Sequence, residues 1–270
     1  MQQEQFFPYS WHVDEKEEEF TSIRIYGLNH KNENVCVQVD NFTPYIYLEL
    51  PAHLGWSASR AQLLGDKLDK LLGRQKPMKK ALTWKKKLYG AHINPDNGER
   101  ILYPFLFCAF YSVKDIKTLS FKLKAPLHVV GLDSLRLKIH ESDANPVLQL
   151  VCCRKLPTAG WVKFTGRRVP DGDMVTLCDQ EYNVKCKNLS PVENDTVPRP
   201  KIMGFDIEVN SSNPSAMPKA EKANDKVFQI SCVFSREGDK PEDYDKYLLT
   251  LGDPDEKTVG FDVIVHAYDT

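Results

Sequence analysis

Asp206 and Glu208 stand two positions apart inside the apolar run Lys201-Ile202-Met203-Gly204-Phe205-Asp206-Ile207-Glu208-Val209. Successive side chains of a β-strand point to opposite faces, so residues i and i+2 project the same way. A strand here puts both carboxylates on one side. Two carboxylates held together in a half-buried place repel each other unless a cation neutralises them. Their oxygens are hard ligands, suited to Mg²⁺ or Mn²⁺. The chemistry this points to is half of a two-metal site for phosphodiester hydrolysis. The alternative is an amphipathic strand whose acids face water, and a chain with 37 acidic residues holds about one Asp-x-Glu by chance.

A second stretch could bind rather than react. Between Lys76 and Tyr89 lie Lys79, Lys80, Lys85, Lys86 and Lys87, with Trp84 and Tyr89 among them. Lysines beside aromatic rings can grip phosphates while the rings stack bases. The same residues also read as a lysine-rich edge strand that discourages aggregation. Arg167 and Arg168 form a weaker basic patch that reads better as a turn. Trp11 and Trp161 read as core residues. The histidines, His266 included, are scattered without metal-ligand spacing.

The elements that must position these residues are mostly strands. Phe20–Leu28 and Asn34–Val39 alternate around turn residues and predict a β-hairpin. Tyr45–Leu50 predicts a third strand. Ser57–Leu72 predicts the clearest helix, with Leu63, Leu64, Leu68, Leu71 and Leu72 on one face and Gly73 ending it. Residues 101–111 predict a buried strand or short helix, and 115–123 a second helix. Residues 147–154 and 161–164 predict strands, and 172–184 another hairpin. The Pro-spaced segment 190–200 predicts an extended linker. Ser211–Asp225, rich in Ser, Asn, Pro and Lys, predicts a mobile loop.

Phe205-Asp206-Ile207-Glu208, then Val227-Phe228-Gln229-Ile230-Ser231-Cys232, then Val263-Ile264-Val265 leading into Tyr268-Asp269, resemble the opening of the 3′–5′ exonuclease domain of family B DNA polymerases. The likeness is to the eukaryotic delta-type enzymes and their relatives in large DNA viruses. Many of those have Cys where this chain has Val209, a swap that touches no proposed ligand. Upstream, Trp11-His12, Thr43-Pro44-Tyr45-Ile46-Tyr47-Leu48, Lys87-Leu88-Tyr89-Gly90 and Gly160-Trp161-Val162-Lys163-Phe164 follow the order seen in the N-terminal domain of that family.

The resemblance implies a mixed α/β (α+β) chain. A mainly antiparallel N-terminal domain over 1–195, with OB-like and ferredoxin-like parts, precedes the start of an RNase H-like exonuclease domain over 196–270. Ile202–Val209 is expected as a central strand covered on both faces. Asp206 and Glu208 are implied as metal ligands and catalytic groups, Asp206 bridging two Mg²⁺ or Mn²⁺ ions in the complete site. The implied partners are DNA primer–template and single-stranded DNA, with a sliding clamp or accessory subunits engaging other regions. The second and third exonuclease motifs and the polymerase palm motifs are missing from the sequence. The chain is therefore expected to be the front part of a longer enzyme, inactive alone. A free-standing RNase H-like nuclease and a non-enzymatic nucleic-acid-binding module are the competing readings.

Composition narrows the field. Length suits two domains and 41% hydrophobic residues suffice for globular cores. The net charge of −1 predicts no overall attraction for nucleic acid, so any contact must come from local patches. No apolar stretch is long enough to span a membrane, and the N-terminus lacks the features of a signal peptide. Seven unpatterned cysteines predict reduced thiols in an intracellular setting, the nucleus, or a host nucleus or cytoplasm for a virus.

Overall fold

The computed structural model describes residues 1–14, 20–87, 92–255, 259–260 and 262–269. Leu88, Tyr89 and Gly90 of the expected turn motif, and Thr270, lie outside them. Strands dominate, in a mixed α/β arrangement. The chain divides into two compact units, Met1–Val197 and Pro198–Thr270.

The first unit carries strands β1 (Gln2–Asp14), β2 (Ser22–Leu28), β3 (Asn34–Asp40), β4 (Tyr45–Glu49), β5 (Lys79–Lys85) and β6 (Tyr103–Ala109). After them come β7 (Leu127–Val129), β8 (Asp133–Leu135), β9 (Lys138–His140), β10 (Val162–Arg168), β11 (Gln180–Lys185) and β12 (Leu189–Pro191). Its α-helices are α1 (Ala58–Leu72), α2 (Val113–Lys122) and α3 (Pro146–Arg154). The second unit holds β13 (Lys201–Val209), β14 (Val227–Arg236), β15 (Asp245–Leu251) and β16 (Val263–Tyr268).

β1, β2, β3, β11 and β10 pair in that order, and β1 pairs back onto β10, closing a barrel to which β12 adds. One strand serves both neighbours because β1 bends: Gln2–Phe6 pair with β10, Phe7–Asp14 with β2, and a bulge lies between Pro8 and Ser10. Gly27 sits opposite Pro8, where a Cβ would stand 2.4 Å from the Phe7 carbonyl oxygen. Only glycine fits that approach. The interior is filled by the inward alternate residues, among them Phe6, Ile23, Ile25, Val37, Val162, Phe164 and Val184. Phe6 and Phe164 meet edge-on with centroids 5.5 Å apart. The expected hairpin of β2 and β3 is present.

Two segments differ from expectation. Residues 147–154 form α3, not a strand. Asn145 caps it by accepting a hydrogen bond from Val147 N–H, and Pro146 occupies the first turn. Both residues favour helix starts, and they outweigh the β-propensity of a short apolar run. Residues 172–184 form no hairpin: only β11 is a strand, parallel to β3 and antiparallel to β10. The expected first arm instead wraps the Glu181 side chain. That carboxylate accepts from Val175 N–H, Thr176 N–H and the Thr176 hydroxyl at 3.1–3.2 Å.

The remaining strands form a sheet in the order β5-β6-β4-β9, with α1 and α2 on one face. Ser57 caps α1 by accepting from Arg60 N–H, and Gly73 ends it at positive φ. Leu64, Leu68 and Leu72 pack with Ile46, Leu48, Leu106, Cys108, Ile116 and Leu119. Leu63, expected on the same stripe, is instead 46% exposed. It lies beyond the arc of the helix that this narrow sheet can cover. The Gln149 carboxamide of α3 joins sheet and barrel. It donates to the Tyr45 carbonyl at 2.7 Å and accepts from Tyr45 N–H at 3.2 Å, beyond the end of β9.

The linker is held at both ends. Trp161 N–H of the indole donates to the Thr196 carbonyl at 2.7 Å, and Val192 N–H donates to the Trp161 carbonyl at 2.9 Å. Trp161 also stacks on His30 with centroids 4.0 Å apart. In the second unit the Arg199 guanidinium donates to the Glu237 carbonyl and to Asp239, each at 2.7 Å, while Arg236 donates to the Arg199 carbonyl. Among the described residues no helix is long and apolar enough to cross a membrane.

Candidate carboxylate site and basic aromatic surface

The second unit is a single sheet in the order β13-β14-β15-β16, its last pair parallel and the others antiparallel. β13 pairs with β14 so that Asp206 faces Ser231 and Glu208 faces Gln229. Directly paired residues share a face, as do positions i and i+2. One face therefore carries Asp206 and Glu208, then Ser231 and Gln229, then Leu248 and Thr250 of β15. Leu248 and Thr250 are buried, whereas both carboxylates are exposed. The Ile207 N–H donates to Asp206 Oδ1 at 3.0 Å. A bulge between Glu208 and Val209 ends the regular register just past the second acid.

β13 is an edge strand here, which corrects the expectation of a central one. Ile202, Met203, Phe205 and Ile207 are 52%, 49%, 61% and 43% exposed. Their apolar character matches a strand covered on both faces, but among the described residues no α-helix belongs to this unit, only a 3-10 turn at Pro241–Asp243. The segment Ser211–Asp225 is tied by its own polar groups. Asp225 accepts from Ser212 N–H and Lys219 N–H; the Ser212 hydroxyl first, then these two N–H groups, hold its carboxyl down to about 2.

The donor set suits a hard cation in part. Two carboxylates on one face supply oxygen ligands, with a hydroxyl and a carboxamide beside them that carry no charge to compete. Among the described residues no third His, Cys, Asp or Glu joins them in a metal-holding group. Ser231 and Gln229 were not singled out from sequence. Their place beside the acids depends on strand register, which no local pattern encodes.

The five lysines fall in different environments. Lys80 points to the helical face of its sheet, paired with Asp69 and donating to the Gly65 carbonyl at 3.2 Å. Trp84 has the same parity on β5 and is 50% exposed. Lys79 and Lys85 have the opposite parity. Lys85 Nζ lies 4.2 Å above the Tyr47 ring centroid, and Lys87 Nζ lies 4.1 Å above that of Tyr103. Lys87 also pairs with Glu49 at 2.5 Å, and His140 Nε2 meets the other Glu49 oxygen at 2.9 Å. Burial pushes the Glu49 carboxyl up, but the bonds from Lys87 and His140 outweigh it and hold the group below the usual carboxylate range. Lys86 is exposed.

Residues 137–267 match the family described as DNA polymerase family B, exonuclease domain. The chain is 40% identical over 275 residues to DNA polymerase 120R of Invertebrate iridescent virus 3, covering 96% of this chain and 24% of that protein. It is 35% identical over 277 residues to DNA polymerase 037L of Invertebrate iridescent virus 6, covering 93% and 22%. The chain thus spans about a quarter of the length of these curated relatives. Its fold resembles the family B DNA polymerase of the archaeon Pyrobaculum calidifontis, with a TM-score of 0.63 at 18% identity over 92% of this chain and 27% of that one.

Proposed function

We propose that the chain, which matches the exonuclease domain of DNA polymerase family B over residues 137–267 and is similar along most of its length to viral DNA polymerases, works within a DNA-directed DNA polymerase as part of its proofreading 3′–5′ exonuclease. The observation that carries this reading is the placement of Asp206 and Glu208 on one face of β13, inside the matched segment. In this reading residues 1–195 are the polymerase N-terminal domain and 196–270 the start of the exonuclease domain.

Asp206 and Glu208 would hold Mg²⁺ or Mn²⁺ in the complete site. Bound there, the ions supply an activated water and neutralise charge at the departing 3′ oxygen. The chain's own residues do the positioning. The Ile207 N–H fixes one Asp206 oxygen, and β14 backs the two acids with uncharged polar groups, so their charge is free for a cation. Further ligands would come from parts of the polymerase outside residues 1–270. The substrate would be a single-stranded 3′ end melted from the primer–template, in the nucleus or cytoplasm of an infected host cell. A clamp or other accessory subunits would engage other regions of the polymerase.

The test is Asp206→Ala combined with Glu208→Ala in a polymerase that carries this chain. Release of 3′ nucleotides from labelled single-stranded DNA should fall roughly a thousand-fold or more, several kcal/mol of lost transition-state stabilisation. Nucleotide incorporation should persist. Robust nuclease activity in the double variant would sink the assignment.

A further inference from the structure

The linker folds around one ring. Trp161 is 2% exposed and meets the strap of residues 192–196 at both of its ends. Its carbonyl accepts from Val192 N–H at 2.9 Å, and its indole N–H donates to the Thr196 carbonyl at 2.7 Å. Between these points the Asn194 carboxamide oxygen accepts from Thr196 N–H at 3.0 Å and from the Thr196 hydroxyl at 2.8 Å. The strap braces its own shape, and Trp161 decides whether it stays in place.

Two rings hold Trp161 in turn. Phe7 of β1 meets it edge-on with centroids 6.0 Å apart. His30, in the turn between β2 and β3, lies flat on it with centroids 4.0 Å apart and planes 12° from parallel. His30 is exposed, so its ring exchanges protons with solvent while it covers a buried indole. Its Nε2 lies 3.3 Å from Gln5 Oε1 of β1. The charged residues on the surrounding elements are Lys31 and Glu33 in the same turn, Glu4 and Lys163 around Gln5, and Glu193 and Asp195 on the strap. Lys163 is the register partner of Gln5, whereas Glu4 has the opposite parity on β1. Glu33 is already bonded to the Asn29 and Gln180 carboxamides, each at 2.7 Å.

We propose that the His30–Trp161 stack is a proton-sensitive latch on the linker: a charged imidazole holds Trp161, and with it residues 192–196, more firmly than a neutral one. Histidine is the side chain whose charge ordinarily changes between about pH 5 and 8. A cation over the face of an aromatic ring is attracted by its π-electrons, and indole attracts it best. A charged imidazole donates from both ring nitrogens, so Nε2 serves Gln5 Oε1 whatever the neutral tautomer would have been. Lys163 opposes the added charge, whereas Glu33, Glu193 and Asp195 favour it. Opening the latch frees residues 192–196 from the first unit and lengthens the tether that leads to β13. The state of one exposed ring thereby sets how much chain runs unheld ahead of Asp206 and Glu208. The latch needs neither metal nor nucleic acid, and it stands whether or not the polymerase reading does.

The test follows the 270-residue chain by amide hydrogen exchange at about pH 5.5 and about pH 7.5, on either side of the ordinary histidine transition, with the intrinsic rate at each pH divided out. Val192 N–H loses its partner when the strap opens. Its protection should be about two- to five-fold higher at the lower pH, the factor that attraction between a cation and a ring supplies at an exposed site. His30→Phe keeps a stacked ring but carries no proton, and its Val192 protection should be the same at both pH values. His30→Gln removes ring and charge together and should lower protection at both. Both changes fall on an exposed turn residue, and an unchanged circular dichroism spectrum verifies that the barrel is intact. Tryptophan emission is a second readout, because an imidazolium in contact with an indole quenches it: emission should dim on acidification more in the wild-type chain than in His30→Phe. Equal protection of Val192 at the two pH values in the wild-type chain, or the same pH dependence in His30→Phe, overturns the proposal.

Discussion

The Glu181 carboxylate holds Thr176 by both its main-chain N–H and its hydroxyl, five residues back along the chain. Glu181 is 5% exposed, so the loop before β11 closes over an acid rather than running as a strand. Hydrogen bonds to a charged group contribute more than neutral ones, and donors left without a partner carry a desolvation cost. Glu181→Ala should destabilise the first unit by about 2 kcal/mol, and Thr176→Val by about 1 kcal/mol. Urea unfolding followed by intrinsic fluorescence measures both. Equal midpoints for wild type and Glu181→Ala would show the loop to be held otherwise.

Gln149 completes the edge of β4 as a missing strand would, with one donor and one acceptor for Tyr45. Gln149→Leu strands both main-chain groups and should cost about 3 kcal/mol. Gln149→Glu keeps the acceptor but sets a carboxylate against the Tyr45 carbonyl. Its folded-state pKa is then raised, so relative to wild type this variant should recover stability as pH falls. A deficit that stays constant from pH 7 to 4 would contradict that geometry.

Glu49 predicts the opposite pH trend. Its folded carboxyl lies below the ordinary range. The stabilisation it provides is present above the unfolded pKa and is lost as pH falls through the folded one. The pair is partly exposed, which limits the effect to about 1 kcal/mol or less. The melting-temperature difference between wild type and Glu49→Gln should be present at pH 7 and shrink toward zero as acid protonates Glu49. A difference that persists in acid would assign the effect to packing.

Thiol chemistry should separate the seven cysteines, all of them free. Burial pushes Cys36 and Cys108 up to about 12. The thiolate is the reactive form, so neither should react at pH 8 in the folded chain. Cys152 and Cys153, exposed on α3, should be modified first. Mass mapping after a brief pulse of a thiol reagent checks the order, and early labelling of Cys108 would mean that the α1–β6 packing opens.

Local pattern carried much of the fold. The hairpin of β2 and β3, β4, the caps and buried leucines of α1, and α2 all follow from periodicity and punctuation within a few residues. Residues 147–154 misled because a short apolar run has no clear period, although Asn145 and Pro146 were present as start signals. The Glu181 loop was out of reach because it rests on one buried side chain rather than on alternation. At the candidate site, spacing alone suffices to put Asp206 and Glu208 on one face of a strand. That Ser231 and Gln229 stand beside them, that β13 lies at an edge, and that Lys80 and Lys85 face opposite ways all depend on pairings between distant segments.

Trp161 anchors the chain as far as Thr196, and Arg199 takes it up again three residues later. Only Val197 and Pro198 separate the two anchorages, and the proline ring fixes one of their dihedrals. A cut in the polypeptide between those two residues would leave every one of these bonds inside a single product. The same point would accept a glycine–serine spacer of any length without loosening either anchorage, which makes the length of the joint an adjustable variable independent of the stability of the parts it joins.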